Sequence, residues 1–196
     1  VLYSGNAGLA HTFDEVIAAA RQLEREAPDV LFAFVGDGAR RAEIHAAAER
    51  FALRNIEFHG YVPRAALTDS LGAADVHLIT LRPEMAGPPP PGKGYPALAS
   101  ARPPLFVGPA ARGPPPPIHR SGAGFVIAPG DANALAARIL SLRADHEQCE
   151  ELGKRGRRHF LAHHERDTCC DAWADLVHAL ASASSARDAL PAPGVR

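Results

Sequence analysis

Two glycines near the start of the chain form a pattern that is typical of loops that bind phosphate. The apolar residues 1–3 lead into Gly5, Asn6 and Gly8, and His11 comes just before the next helical pattern. Glycine lets the backbone approach a phosphate closely, and the helix that follows offers the positive end of its dipole. The match to the dinucleotide-binding pattern GxGxxG is only partial, so a plain tight turn stays open as the alternative.

Histidines and cysteines near the C-terminus raise the question of a metal site. His159 and His163 are four residues apart and would share one helix face, whereas the adjacent Cys169 and Cys170 would point to different faces. The spacing lacks the CxxC and HExxH patterns of zinc sites. We therefore predict no metal site here.

The elements that must position the first loop alternate between strands and helices. Short apolar runs predict strands at 1–3, 30–35, 56–58, 76–79, 105–107 and 125–127. Helical periodicity lies between them, and Asp131 is predicted to cap one helix. This order predicts an α/β fold, with a doubly wound, Rossmann-like parallel sheet of about six strands and a C-terminal helical segment.

Ligands of such sheets bind beyond the carboxyl ends of the strands. We expect Gly5, Gly36, Gly60 and Gly87 to lie at this same edge, because each follows an apolar strand. The glycine turns would then belong to one site.

The C-terminal part of the chain is predicted to be helical and then flexible. Trp173, Leu176, Val177 and Leu180 have helical spacing and are expected to be core residues. The tail at 182–196 is rich in Ala, Ser and Pro, so we predict a domain at 1–181 followed by a flexible segment.

Composition and charge limit the class of protein. The chain has 196 residues, enough for one domain with a buried core, and a formal net charge of −1. This charge excludes a strongly basic nucleic-acid-binding protein, and no apolar run reaches the length of about 18 residues that a membrane span needs. Three cysteines are too few for a disulfide framework, which favours a reducing compartment such as the cytoplasm.

A series of motifs follows the chain in order. They are SGN with a glycine at 4–8, VGDG at 35–38, FHGYVP at 58–63, ADV at 74–76, KGY at 93–95, RPPLFVG at 102–108 and GAGFVIAPGD at 122–131. Over about Val1 to Leu180 the set resembles the C-terminal domain of glycosyltransferase family 4, the retaining nucleotide-sugar transferases of the GT-B fold. It is most similar to transferases of capsule, exopolysaccharide and lipid-linked glycan assembly.

The resemblance implies a donor-binding domain that transfers a sugar from a UDP- or GDP-linked donor to an alcohol acceptor with retention. The nucleotide-sugar would be the substrate. The resemblance implies no metal, no other cofactor and no nucleic acid. An N-terminal acceptor-binding domain would precede Val1, so the chain alone is expected to be inactive. That missing half would make any peripheral contact with the inner face of the membrane.

The resemblance also assigns residues to the donor diphosphate. Gly5, Asn6 and Gly8 would lie against the phosphates, and Gly87 would belong to the same site. The family has an arginine where this chain has Asn6 and a lysine where it has His11, so two permanent charges are absent. His11 could serve in part when protonated, near its unperturbed pKa of about 6.5.

Two later loops would hold the base and the sugar. The family binds the base through backbone groups in the turn after the third strand, here Tyr61 and Val62. Lys93 and Tyr95 match a Pro-Ser-Lys-x-Tyr variant at the start of the donor helix, with Lys93 on a phosphate oxygen. Glu84 would be the catalytic residue near the sugar.

The chain departs from the family in two ways. The family has two glutamates with seven residues between them, but the partner position of Glu84 holds Gly92. Four consecutive prolines at 88–91, and again at 114–117, replace donor-side segments and remove backbone N–H donors. Two alternatives therefore stay open: a degenerate, non-catalytic binding domain, and a nucleotide-sugar 2-epimerase, which shares the two-domain architecture.

Overall fold

Residues 77–80 and 104–107 are buried at every position, as central strands of a parallel sheet must be. The computed structural model describes residues 1–85, 92–109 and 116–188, and this part of the chain contains one six-stranded sheet. The strands are β1 (Leu2–Ser4), β2 (Phe32–Val35), β3 (Ile56–His59), β4 (His77–Thr80), β5 (Pro104–Val107) and β6 (Phe125–Ile127). Their order is β3-β2-β1-β4-β5-β6, and every adjacent pair is parallel. The predicted doubly wound, Rossmann-like sheet is confirmed.

The helices follow the predicted alternation. They are α1 (Asp14–Glu26), α2 (Arg41–Arg50), α3 (Leu67–Gly72), α4 (Gly94–Ala99), α5 (Pro116–Ser121), α6 (Ala132–Ala144), α7 (His146–His163) and α8 (Arg166–Asp188). Asp131 caps α6 as predicted, since its side chain accepts a hydrogen bond from Ala134 N at 2.8 Å. Among the described helices, none has both the length and the hydropathy that crossing a membrane requires.

The larger core cluster joins the sheet to α1 and α6, which pack against each other. Val16, Ala20 and Leu23 of α1 are fully buried. On α6, Leu135 is fully buried and Ile139 is 3% exposed. The spacing of three and four residues puts each set on one helix face. Burial of a large apolar side chain such as Leu23 or Leu135 stabilises the fold by about 1.5–3 kcal/mol, and these faces hold the helices on the sheet.

The chain divides into two compact units, Val1–Phe160 and Leu161–Arg196. In the second unit, Trp173, Leu176, Val177 and Leu180 of α8 are between 49% and 69% exposed. The prediction that they are core residues is therefore wrong. Helical spacing identifies an apolar stripe but does not supply a facing element, and α8 makes up most of what is described in this unit. The domain boundary after residue 181 stays a prediction.

A buried carboxylate ties the start of α1 to the loop before α6. Glu15 is 8% exposed, and it accepts hydrogen bonds from Gly130 N at 2.7 Å and from the Thr12 hydroxyl at 3.1 Å. We expect Glu15→Ala to lower the free energy of unfolding by about 1–3 kcal/mol, because it leaves a backbone N–H without its acceptor. Urea unfolding measures this loss.

The matched control is Glu26→Ala at the other end of α1. Glu26 is exposed and accepts hydrogen bonds from Gln22 on the surface at 3.1 and 3.3 Å, so its removal should cost less than about 0.5 kcal/mol. Equal losses for the two variants would contradict the role given to Glu15.

Candidate functional site

The loops after β1, β2 and β3 lie side by side at the carboxyl edge of the sheet. Gly5 N donates to the carbonyl of the last residue of β2 at 2.8 Å, and Gly36 N donates to that of β3 at 3.0 Å. The predicted placement of Gly5, Gly36 and Gly60 at one edge is therefore confirmed. Gly87 lies outside the described residues.

The turn after β2 supports the loop after β1 through backbone contacts. Ala7 N donates to Asp37 O at 2.7 Å, and Arg40 N donates to Ala7 O at 2.9 Å. Gly38 has a φ of +144°, and a Cβ there would lie 2.5 Å from both Ala7 C and Asn6 Oδ1. A residue without a Cβ is what allows the two loops to approach so closely.

Lys93 reaches the first loop from the start of α4. Its Nζ donates to Asn6 O at 3.1 Å and lies 3.0 Å from His11 Nε2. Its stem passes Gly5, where an added Cβ would lie 3.4 Å from Lys93 Cε. The structure thus brings together four of the predicted site residues, although Lys93 is 82 residues from His11 in the chain.

Tyr3 also belongs to this cluster, although the sequence indicated only a strand residue. Its hydroxyl donates to Asn6 O at 2.9 Å, and its ring lies 5.1 Å from Lys93 Nζ, which suits a cation–π interaction. Burial raises the pKa of Tyr3, so the hydroxyl keeps its proton and stays a donor. The one signal for Tyr3 in the sequence was its position three residues before Asn6.

The charge of the cluster is carried by Lys93 and not by His11. Burial lowers the pKa of Lys93 from 10.5 to about 8, so its ammonium is mostly charged at neutral pH. Burial, and then the neighbouring Lys93 charge, lower the pKa of His11 below 6.5, against the effect of its bond to Thr80 O. These shifts oppose the predicted role of His11 as a second cation toward a phosphate, and that role stays a prediction.

Arg40 is a second residue that the sequence analysis missed. It is 6% exposed, and its guanidinium donates to His11 O at 2.6 Å and to both carboxylate oxygens of Glu43 at 2.7 and 3.0 Å. Glu43 raises the pKa of Arg40, so this cation is permanent. Arg40 thereby fixes the backbone at His11 from the start of α2, and its spacing of three residues from Glu43 was the available signal.

The other predicted residues lie around this cluster. Gly8 is in the first loop, Tyr61 and Val62 follow β3, and Tyr61 is 66% exposed. Glu84 is exposed in a 3-10 turn at 83–85 after β4, and Tyr95 is in the first turn of α4. The roles of all five toward a ligand stay predictions. The proline run at 88–91 lies outside the described residues, and so does the start of the second run, at 114–115.

Comparison with known proteins gives a consistent family. Residues 1–159 match the family model described as glycosyl transferases group 1. The glycosyltransferase WbjE of Pseudomonas aeruginosa is 30% identical over 137 residues, which are 70% of this chain and 34% of that protein. The colanic acid biosynthesis glycosyl transferase WcaI of Escherichia coli K12 is 37% identical over 79 residues, 40% of this chain and 19% of that protein.

Among solved structures, that of Anabaena HepE in complex with UDP-glucose is similar with a TM-score of 0.72 and 18% identity. The match covers 91% of this chain and 48% of HepE, and at this identity it shows the fold alone. This chain spans about a third or less of the curated relatives that it matches. Because the family model covers residues 1–159, the chain belongs to the glycosyl transferases group 1 family.

Proposed function

We propose that this chain is the donor-binding domain of a retaining, family 4 glycosyltransferase, and that it binds a UDP- or GDP-sugar at the carboxyl edge of its sheet. The sugar would pass to an alcohol acceptor held by a second domain, in the assembly of cell-surface glycans. The observation that carries the proposal is the ammonium of Lys93, held at 3.1 Å from Asn6 O and 3.0 Å from His11 Nε2 beside Gly5.

The contribution of this domain to the reaction would be electrostatic. When the bond between the sugar and the diphosphate breaks, negative charge grows on the leaving phosphate oxygens. A cation fixed beside them before the reaction stabilises that charge without reorganisation. Lys93 would be this cation, and the glycines of the first loop would allow the phosphates to come close to the backbone.

The remaining predicted residues have positions that fit the other parts of a nucleotide-sugar. Tyr61 and Val62 follow β3 at the same edge as Gly5, where backbone groups of this turn would hold the base. Glu84 follows β4, and its exposed carboxylate would act near the sugar. Gly87 and Tyr95 would complete the donor loop.

The relatives support the substrate class and the setting. The HepE structure contains UDP-glucose, and WcaI is described as a glycosyl transferase of colanic acid biosynthesis. For this chain we therefore infer a UDP- or GDP-linked donor and a glycan product. We also propose that the acceptor-binding half brings the domain to the cytoplasmic face of a membrane.

Calorimetric titration of the chain with UDP and with GDP tests the proposal. We expect one of the two to bind with a dissociation constant below about 1 mM, equivalent to about 4.1 kcal/mol. Uridine and guanosine are the matched controls, and they should bind far more weakly because they lack the diphosphate. If neither diphosphate binds at millimolar concentration, the alternative of a degenerate domain replaces the proposal, and the absent second glutamate favours that alternative.

A further inference from the structure

The hydrogen bonds of His11 fix which ring nitrogen carries the proton. Nδ1 lies 2.6 Å from Thr80 O, and because a carbonyl only accepts, Nδ1 must donate. Nε2 lies 3.0 Å from Lys93 Nζ, and because an ammonium only donates, Nε2 must accept. The two partners therefore select a neutral imidazole with its proton on Nδ1.

The ring is held in place from three elements. Thr80 ends β4, and its carbonyl binds the ring, while Arg40 at the start of α2 binds the His11 carbonyl at 2.6 Å. Tyr3 of β1 packs edge-on against the ring with 5.7 Å between the centroids. His11 itself is 9% exposed. It is thus a fixed acceptor that reaches the flexible end of Lys93.

We propose that His11 is a positioning residue, which holds the Lys93 ammonium toward the first loop through its Nε2 lone pair and does not itself bind the phosphate. This inference rests on the proposed donor-binding function. A lysine side chain has many rotamers, and holding its end in advance removes part of the entropy that phosphate binding would otherwise cost. The pair would replace the two family cations at Asn6 and His11 with one cation that is held in place.

This arrangement makes nucleotide binding depend on pH in a defined direction. Lys93 loses its charge as the pH rises through about 8, and His11 cannot supply a charge because its own pKa is lowered. A bound phosphate favours the ammonium, so the loss of affinity lies somewhat above pH 8.

Other charges also face the cluster. Lys93 and Arg40 both lower the pKa of His11. Burial raises the pKa of Tyr3, so Tyr3 keeps its proton until a higher pH than Lys93 does. We therefore expect affinity for UDP or GDP to fall as the pH rises from about 7.5 to about 9.5, a range in which the nucleotide's own phosphate charge is constant.

Nuclear magnetic resonance of the ligand-free chain tests the pair directly. The chain has two lysines, Lys93 and Lys154. With labelled lysine, we expect Lys93 to titrate near 8 and Lys154, paired with Glu150 and Glu151, to titrate above 10.5 as an internal control. The ¹⁵N shifts of His11 should report the neutral Nδ1–H form at neutral pH. An Nε2–H form or a charged imidazolium would overturn the proposal without any variant.

Two substitutions separate the two bonds of the ring. His11→Asn places an amide N–H near Nδ1 but has no acceptor near Nε2, whereas His11→Gln can place an amide oxygen near Nε2. We expect His11→Asn to lower the pKa of Lys93 further below about 8, because the ammonium loses an acceptor that stabilises its charged form. Nucleotide binding should weaken several-fold, and the pH of half-maximal affinity should fall in parallel. His11→Gln should bring the pKa of Lys93 and the nucleotide affinity part of the way back to those of the unchanged chain.

His45→Asn is the matched control, because His45 is exposed on α2 and pairs with Glu49 at 3.3 Å. It should change neither the titration of Lys93 nor the binding. If His11→Asn leaves the Lys93 titration and the pH profile unchanged, the positioning role is overturned. Failure of the unchanged chain to bind either nucleotide would instead overturn the donor-binding function, while the lysine titration would still decide on the pair.

Discussion

Replacing Lys93 by methionine is expected to weaken the binding of UDP or GDP roughly ten- to hundredfold near neutral pH. A hydrogen bond between a charged group and a phosphate contributes about 1.5–3 kcal/mol, and about 1.4 kcal/mol corresponds to a factor of ten. Methionine keeps an unbranched apolar stem beside Gly5 and Tyr3, so the variant removes the charge with little change of packing. Calorimetric titration measures the difference.

The second lysine supplies the control for this experiment. Lys154 is exposed on α7 and pairs with Glu150 and Glu151 at 3.4 and 3.3 Å, so Lys154→Met should leave nucleotide binding unchanged. The difference between the unchanged chain and Lys93→Met should also shrink as the pH rises past about 8, because Lys93 then loses its proton. Binding that is measurable and indifferent to Lys93 would show that the cation of the site lies elsewhere.

The centre of the sheet was predictable from sequence because β4 and β5 are buried on both faces. A strand such as β5 must then be an almost continuous apolar run, and helices with one apolar stripe must lie between such runs. Asp131 was predictable for a local reason, since its side chain binds the backbone only three residues ahead. Both signals are contained in short stretches of the chain.

The site was predictable in its location but not in its chemistry. The edge at which Gly5 and Gly36 lie follows from parallel strands alone. By contrast, the protonation of His11 depends on Thr80, 69 residues away, and on Lys93, 82 residues away. No local pattern records that burial and a neighbouring ammonium lower its pKa, so the unperturbed value alone does not describe this ring.

The exposed apolar stripe of α8 is a second case in which a local pattern did not predict the surroundings of a side chain. The spacing of Trp173, Leu176 and Leu180 is a local property and was predicted correctly, whereas their burial is not local. Periodicity reports which face of a helix is apolar. It does not report whether another element lies on that face.

Replacing Gly38 by alanine is expected to lower the free energy of unfolding by about 3 kcal/mol, a large value for one methyl group. The φ of +144° is a conformation that residues with a Cβ rarely adopt, and the new Cβ would lie 2.5 Å from Ala7 C and Asn6 Oδ1. The two loops would have to separate. Since Asn6 O accepts the hydrogen bonds of Lys93 and Tyr3, nucleotide binding should weaken as well.

Gly60→Ala is the matched control at the same edge of the sheet. A Cβ on Gly60 would meet nothing within 4 Å, and its backbone does not have the left-handed φ of Gly38. Its effect on stability should therefore stay within about 0.5 kcal/mol. Urea unfolding of both variants measures the contrast, and a Gly38→Ala chain as stable as Gly60→Ala would mean that the first loop does not depend on the turn after β2. A second variant, Gly36→Ala, tests the same dependence independently, because its Cβ would run into the carbonyl of Gly5.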